Sequence, residues 1–235
     1  MPSTASPSRT WKDASAWGHK MRDRRIRGLM LVTDRALCQR RGLEDMVMEA
    51  VRGGAAWVQL REKHLPTRAF IEQALRIKER LASAGVPLLI NDRVDVALAV
   101  AADGVHLGQD DMLIPMARRL LGPGAIVGLS VERWEDVEKA QDLEVDYLGV
   151  SPVFATPTKT DTKGVWGLQG LARISTYSRH PLVAIGGLDA ANIADAVRAG
   201  ADGIAVVSAI CGAPEPQQAA MDLCQRMRAA KSGEG

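Results

Sequence analysis

Phe and Tyr are scarce in this chain, two of each among 235 positions, so its core has to be built mainly from aliphatic side chains and alanine. Cysteine is scarce too. Cys38, Cys211 and Cys224 are widely spaced, odd in number and form no C-x-x-C pair. That excludes a disulfide scaffold or a cysteine zinc site and fits a reducing compartment, hence the cytoplasm. No apolar run approaches the ~18 residues of a membrane span, so no membrane partner is expected. A formal net charge of +2 is too small to argue for nucleic acid. No Ser/His/Asp or Cys/His constellation is visible, which argues against nucleophilic hydrolysis.

What is present is an ordinary globular composition, 46% hydrophobic and 25% charged, enough for a sizeable core. Seven of the basic residues fall in positions 1–27, a stretch with little apolar periodicity. It reads as a disordered or targeting-like basic extension without the apolar region of a secretory signal. From Gly28 a rhythm sets in. Short apolar runs occur at Leu29–Thr33, Trp57–Leu60, Pro87–Ile90, Gly104–Leu107, Ile126–Leu129, Tyr147–Val150, Leu182–Ile185 and Gly203–Val207. Between them lie helical patterns at Leu43–Arg52, Thr67–Ala84, Val94–Ala101, Met112–Leu121, Val131–Leu143, Leu168–Ser178, Ala190–Ala199 and Gln217–Ala230. Continuous apolar strands indicate a parallel sheet buried on both faces. Related signatures precede several runs: Gly53-Gly54-Ala55-Ala56, Ala102-Asp103-Gly104, Val145-Asp146-Tyr147 and Gly200-Ala201-Asp202-Gly203. Eight βα units predict a single (β/α)8 TIM barrel over residues 28–231. A doubly wound open sheet is disfavoured because no G-x-G-x-x-G follows the first run, which ends at Asp34.

In such a barrel chemistry collects where the strands end. At the end of the second run and just beyond it, Gln59, Arg61 and Lys63 alternate and leave one face of an extended chain. An amide, a planar guanidinium and a mobile ammonium together suit a polyanion. The third run ends in Asn91-Asp92 and the fourth in Gln109-Asp110-Asp111, the fifth reaches Ser130, and the sixth opens into a polar loop, Ser151–Gly164. Two carboxylates among cations suggest Mg2+ shared with phosphate oxygens. Asp92 and Asp111 are the pair, with Asp110 competing for the second place and helix capping as the plainer reading of each. Gly186-Gly187 and the turn after Val207-Ser208 fit a phosphate site on the seventh and eighth loops. Two anion sites in one mouth imply two phosphorylated substrates or one long bisphosphate. His106 lies inside an apolar run and is read as structural.

Val58-Gln59-Leu60-Arg61-Glu62-Lys63, Ile90-Asn91-Asp92, Gly104-Val105-His106-Leu107-Gly108-Gln109-Asp110-Asp111, Thr156-Pro157-Thr158-Lys159 and Ile185-Gly186-Gly187 together resemble the thiamine-phosphate synthase family, from about Gly28 to Cys211. The resemblance implies Mg2+-dependent transfer of hydroxymethylpyrimidine from its diphosphate to hydroxyethylthiazole phosphate. Gln59, Arg61, Lys63, Asn91, Ser130 and Lys159 would hold the pyrimidine diphosphate, with Arg61, Ser130 and Lys159 as the catalytic set. Asp92 and Asp111 would hold Mg2+, while Thr156, Thr158, Gly187, Val207 and Ser208 would bind the thiazole phosphate. The Thr156–Lys159 loop would close as a lid. Ser151-Pro152 stands where the family more often has Gly-Pro. The other readings are a thiazole tautomerase on the same barrel and a non-catalytic thiamine-phosphate sensor. Oligomeric state, homo-oligomer included, is not legible in the sequence.

Overall fold

The computed structural model describes residues 26–38, 42–156 and 164–232. Eight parallel strands close in sequence order: β1 Gly28–Val32, β2 Trp57–Leu60, β3 Leu88–Asn91, β4 Gly104–Leu107, β5 Ile126–Val131, β6 Tyr147–Val150, β7 Leu182–Ile185 and β8 Gly203–Val206. β8 returns to β1, with Gly28 opposite Gly203 and Leu31 opposite Val206. The helices among the described residues are α1 Leu43–Arg52, α2 Thr67–Ala84, α3 Val94–Ala99, α4 Ile114–Leu121, α5 Trp134–Ala140, α6 Gly167–Tyr177, α7 Ile193–Arg198, α8 Ser208–Cys211 and α9 Pro216–Ser232. This is the (β/α)8 barrel expected from the rhythm of the sequence. None of these helices is long and apolar enough to cross a membrane.

Period-two alternation divides each strand between two destinations. Leu29, Leu31, Val58, Leu60, Leu88 and Ile90 point outward and pack under the helices. Met30, Val32, Trp57, Leu89, Ile126, Tyr147, Val183 and Ala205 point inward and fill the barrel. The helices meet the outer layer with matching stripes; Phe70, Ala74, Ile77 and Leu81 of α2 recur at three- and four-residue steps on its buried face. Ile26 is already part of the interior cluster, and the Arg27 carbonyl accepts the Trp57 indole N–H at 3.1 Å. The packed domain therefore starts two residues before Gly28. The rest of the basic extension, positions 1–25, lies outside the described residues.

The recurring aspartates explain how strands are started in register. Asp103 accepts the Leu88 N–H at 2.8 Å through its carboxylate and donates its own N–H to the Leu88 carbonyl at 3.0 Å. Asp146 does the same to Val127, at 2.8 Å both ways, and Asp202 to Leu182, at 3.0 and 2.9 Å. Each aspartate thus clamps the foot of an odd strand to the even strand that follows. The Asp146 carboxylate also takes Arg118 at 2.8 Å.

Some element ends differ from the sequence reading. Val131 closes β5 instead of opening a helix, because the Asp136 carboxylate accepts the N–H groups of Glu132 and Arg133 and holds the chain extended until Trp134. Asp189 and Asn192 make side-chain turns that delay α7 to Ile193. The short α8 is absent from the periodicity because four residues carry no period.

Asp146→Ala leaves the Val127 N–H and Arg118 without this partner, at the barrel end remote from the strand C-termini. The expected cost is about 1–3 kcal/mol, or roughly 2–10 °C in Tm; thermal unfolding followed by circular dichroism checks it.

Candidate active site

Alternation continues past the ends of the strands. Gln59, Arg61 and Lys63 all line one cavity of about 320 Å3 at the C-terminal mouth, a volume suited to a small molecule. Glu62 turns the opposite way. Its side chain is 5% exposed and lies 2.8 Å from Arg35, which also bonds Gln73. The polar heptad is thus split between a cation-bearing inner face and an ion pair that braces the β1–α1 connection. Thr33 extends the pairing: its N–H reaches the Gln59 carbonyl at 3.0 Å, and its hydroxyl accepts the Arg61 N–H at 3.0 Å.

Asp92 adopts a left-handed backbone, φ 63°, a conformation that Asp tolerates better than most residues but that still costs of order 1 kcal/mol. Its N–H is held by the His106 carbonyl at 2.8 Å, and its carboxylate takes the Lys63 ammonium at 2.5 Å. Asp111 is anchored from the other side, accepting the Gly108 N–H at 2.7 Å. Partial burial pushes the Asp111 carboxyl up, the Gly108 N–H opposes this, and the adjoining Asp92 carboxyl pushes it up again. The two carboxyls adjoin one another, a juxtaposition of like charges that a bound cation would relieve. Helix capping does not account for either residue: α3 and α4 have Arg93 and Leu113 at their N-caps, with no side-chain cap. Asp110 lines the cavity as well, but Asp111 is the one that meets Asp92. Among the described residues no group of three or more His, Cys, Asp or Glu could hold a metal. Two hard oxygen donors beside an open cavity fit Mg2+, which completes its shell with water and ligand phosphate, and do not fit a closed structural site.

Asn91, Ser130, Thr156, Gly187, Val207 and Ser208 line the same cavity. Gly186 and Gly187 have φ of 98° and 63°. A Cβ on them would fall 2.6 Å from the Pro152 side chain and 2.7 Å from the Ala155 carbonyl, so the β7 turn and the β6 loop pack backbone to backbone. Val153 and Phe154 donate to the Ile185 and Gly186 carbonyls at 2.9 and 3.0 Å, which sets the start of the polar loop. Thr158 and Lys159, and with them most of the expected lid, lie outside the described residues.

His106 departs from its structural reading. It is buried, but its ring faces inward and forms part of the cavity wall, with Nε2 2.8 Å from the Ser130 hydroxyl and Nδ1 2.8 Å from the Tyr147 hydroxyl. Tyr147 also reaches the cavity. The available signal was alternation: Val105 and Leu107 point outward, so His106 between them points inward, paired in register with Asn91 and Gly128.

A closed parallel barrel with a charged cavity at the C-terminal mouth defines the class, a (β/α)8 enzyme acting on small molecules. Comparisons with known proteins narrow it. The family model described as thiamine monophosphate synthase matches residues 29–210. The chain is 55% identical over 212 residues to the thiamine-phosphate synthase of Albidiferax ferrireducens, covering 90% of this chain and 96% of that one. It is 52% identical over 186 residues to that of Vibrio campbellii, covering 79% and 91%. A solved thiamine phosphate pyrophosphorylase from Pyrococcus furiosus superposes with a TM-score of 0.81 at 37% identity, over 90% of this chain and 99% of that one. The chain belongs to the thiamine monophosphate synthase family, a family of transferases.

A carboxyl raised in the folded protein takes up a proton more readily there than when unfolded, so ionised Asp111 lowers stability at neutral pH. In ligand-free protein Asp111→Asn is expected to raise Tm at pH 7 by roughly 1–2 °C, the scale of a half-solvated charge interaction. The gain shrinks as pH falls and the wild-type carboxyl becomes neutral; a lowered Tm at pH 7 by scanning calorimetry contradicts this account.

Proposed function

We propose that the protein is a thiamine-phosphate synthase working in the cytoplasm, joining hydroxymethylpyrimidine diphosphate to hydroxyethylthiazole phosphate with release of diphosphate. The observation that carries this reading is the Lys63–Asp92–Asp111 cluster, which shares one cavity with Arg61 and with the glycine turn of β7. A tautomerase acting on the thiazole alone has no use for such a cluster.

In the reaction the bond between the pyrimidine methylene carbon and the diphosphate oxygen breaks, and its electrons leave with diphosphate. The thiazole nitrogen supplies the pair for the new C–N bond. Catalysis therefore depends on stabilising a departing anion more than on a general base. Arg61 and Lys63, with Lys159, are the cations for that charge, while Gln59, Asn91 and Ser130 supply uncharged contacts to the pyrimidine and its diphosphate. Asp92 and Asp111 would hold Mg2+, which when bound neutralises charge on the leaving phosphates. Thr156, Thr158, Ser208 and the backbone around Gly187 and Val207 would take the thiazole phosphate, at the place where this fold commonly binds phosphate. Closing the Thr156–Lys159 loop would keep the developing pyrimidine cation from water. The three free cysteines, all buried, suit a reducing setting.

The test is product formation by purified protein from both substrates, with Mg2+ or with EDTA. Mg2+-dependent thiamine phosphate is expected. Asp92→Asn should cut turnover about 100-fold and raise the Mg2+ requirement with the fold intact; unchanged kinetics at limiting Mg2+ would remove Asp92 from the metal site.

A further inference from the structure

Beneath Ser130 the barrel interior is polar. The Ser130 hydroxyl meets His106 Nε2 at 2.8 Å, and His106 Nδ1 meets the Tyr147 hydroxyl at 2.8 Å. The two rings stack, with centroids 5.4 Å apart and planes 30° from parallel. Their space is reserved by glycines on nearby strands: a Cβ on Gly128 would fall 2.2 Å from Tyr147 Cζ, and one on Gly149 2.8 Å from His106 Cε1. Neither ring can be moved without disturbing a neighbouring strand.

The line has a direction. The Gln59 amide nitrogen lies 3.8 Å from the Met30 sulfur, and a thioether only accepts, so the NH2 end of Gln59 faces the interior. Burial, then the Asp146 charge, drives the Tyr147 phenol up and keeps it protonated, while the Gln59 amide pulls the other way. Tyr147 is buried and its hydroxyl meets His106 Nδ1 at 2.8 Å, so the phenol gives its proton to that nitrogen. A neutral imidazole that accepts at Nδ1 carries its hydrogen on Nε2, and Nε2–H then donates to Ser130. The Ser130 proton is left to point into the cavity. In the opposite direction Ser130 would donate to Nε2 and turn lone pairs toward an anionic ligand, which is repulsive.

We infer that the Tyr147–His106 line sets Ser130 as a hydrogen-bond donor to ligand oxygen, and that Tyr147 is a positioning residue acting through the His106 tautomer. This rests on the placement of Ser130 in the diphosphate grip proposed above.

The tautomer is read by nitrogen NMR of 15N-histidine-labelled, ligand-free protein, with His106→Gln used to assign the His106 signals. The expected wild-type form is Nε2–H. In Tyr147→Phe the two tautomers should mix, and kcat for thiamine phosphate formation should fall about tenfold with little change in either KM. An Nδ1–H wild-type form, or a tautomer indifferent to Tyr147→Phe, overturns the inference. A tautomer that shifts while kcat holds overturns it at Ser130 and leaves the reaction standing. A wild type that makes no thiamine phosphate overturns the reaction alone, because the tautomer is measured without ligand. Should Tyr147→Phe fail to fold, the His106 variants decide: Gln places its NH2 near the imidazole Nε2 position and Asn near Nδ1. His106→Gln should retain several-fold more turnover than His106→Asn, and equal activities overturn the inference.

Discussion

Closure of the parallel barrel is the constraint from which the rest follows. With β8 hydrogen-bonded to β1 there is no sheet edge, and every strand side chain goes either into the barrel or under the helices. The outer destination is apolar and tolerant. The inner one is narrow, so these large inward groups need a small one beside them: Tyr147 lies against Gly128, its register partner on β5, and His106 against Gly149 of β6. The same two-residue step that buries Val58 and Leu60 under the helices carries Gln59, Arg61 and Lys63 up one wall of the cavity. The polarity of the mouth is thus the inner face of the barrel prolonged beyond the strands.

Aspartates do opposite work at the two ends of this barrel. At the feet of the even strands, Asp103, Asp146 and Asp202 each accept a backbone N–H and fix register. At the mouth, Asp92 sits on a left-handed backbone and Asp111 has its carboxyl pushed up by burial and by Asp92. These are costs carried at the site, and the clamped, closed scaffold is what makes them tolerable. Separation of stabilising and strained aspartates along the strand axis matches the general division of this fold into a structural and a chemical face.

Most of the scaffold is legible in the sequence because its signals are local. Trp57–Leu60, Tyr147–Val150 and Leu182–Ile185 are apolar runs whose bounds coincide with strands, and Leu43–Arg52 and Thr67–Ala84 are helices to the residue. The residues at strand ends are legible for the same reason once a barrel is recognised. What escapes is set by partners distant in the chain. His106 reads as core until its register with Asn91 and Gly128 is known. Tyr147 reads as an ordinary strand aromatic, although its hydroxyl lies 41 residues away in sequence from its imidazole partner. The delay of α5 to Trp134 depends on a carboxylate four residues ahead turning back on the chain, which apolar periodicity does not register.

Residue types alone also leave open which way the uncharged groups of the mouth point. Arg61 and Lys63 are donors by constitution. Ser130 is not, since a hydroxyl offers both a donor and an acceptor. Around a polyanion that ambivalence matters, because a lone pair turned toward phosphate repels it while a proton attracts it. The choice is made below the cavity floor, where a buried phenol stays protonated and meets His106 Nδ1. In a low-dielectric interior such bonds polarise one another along a line, so an apolar-looking strand interior determines the sign that a neutral side chain shows to its ligand. The barrel core below the mouth is therefore part of the site, and its phenol and imidazole act on the chemistry through hydrogen-bond direction.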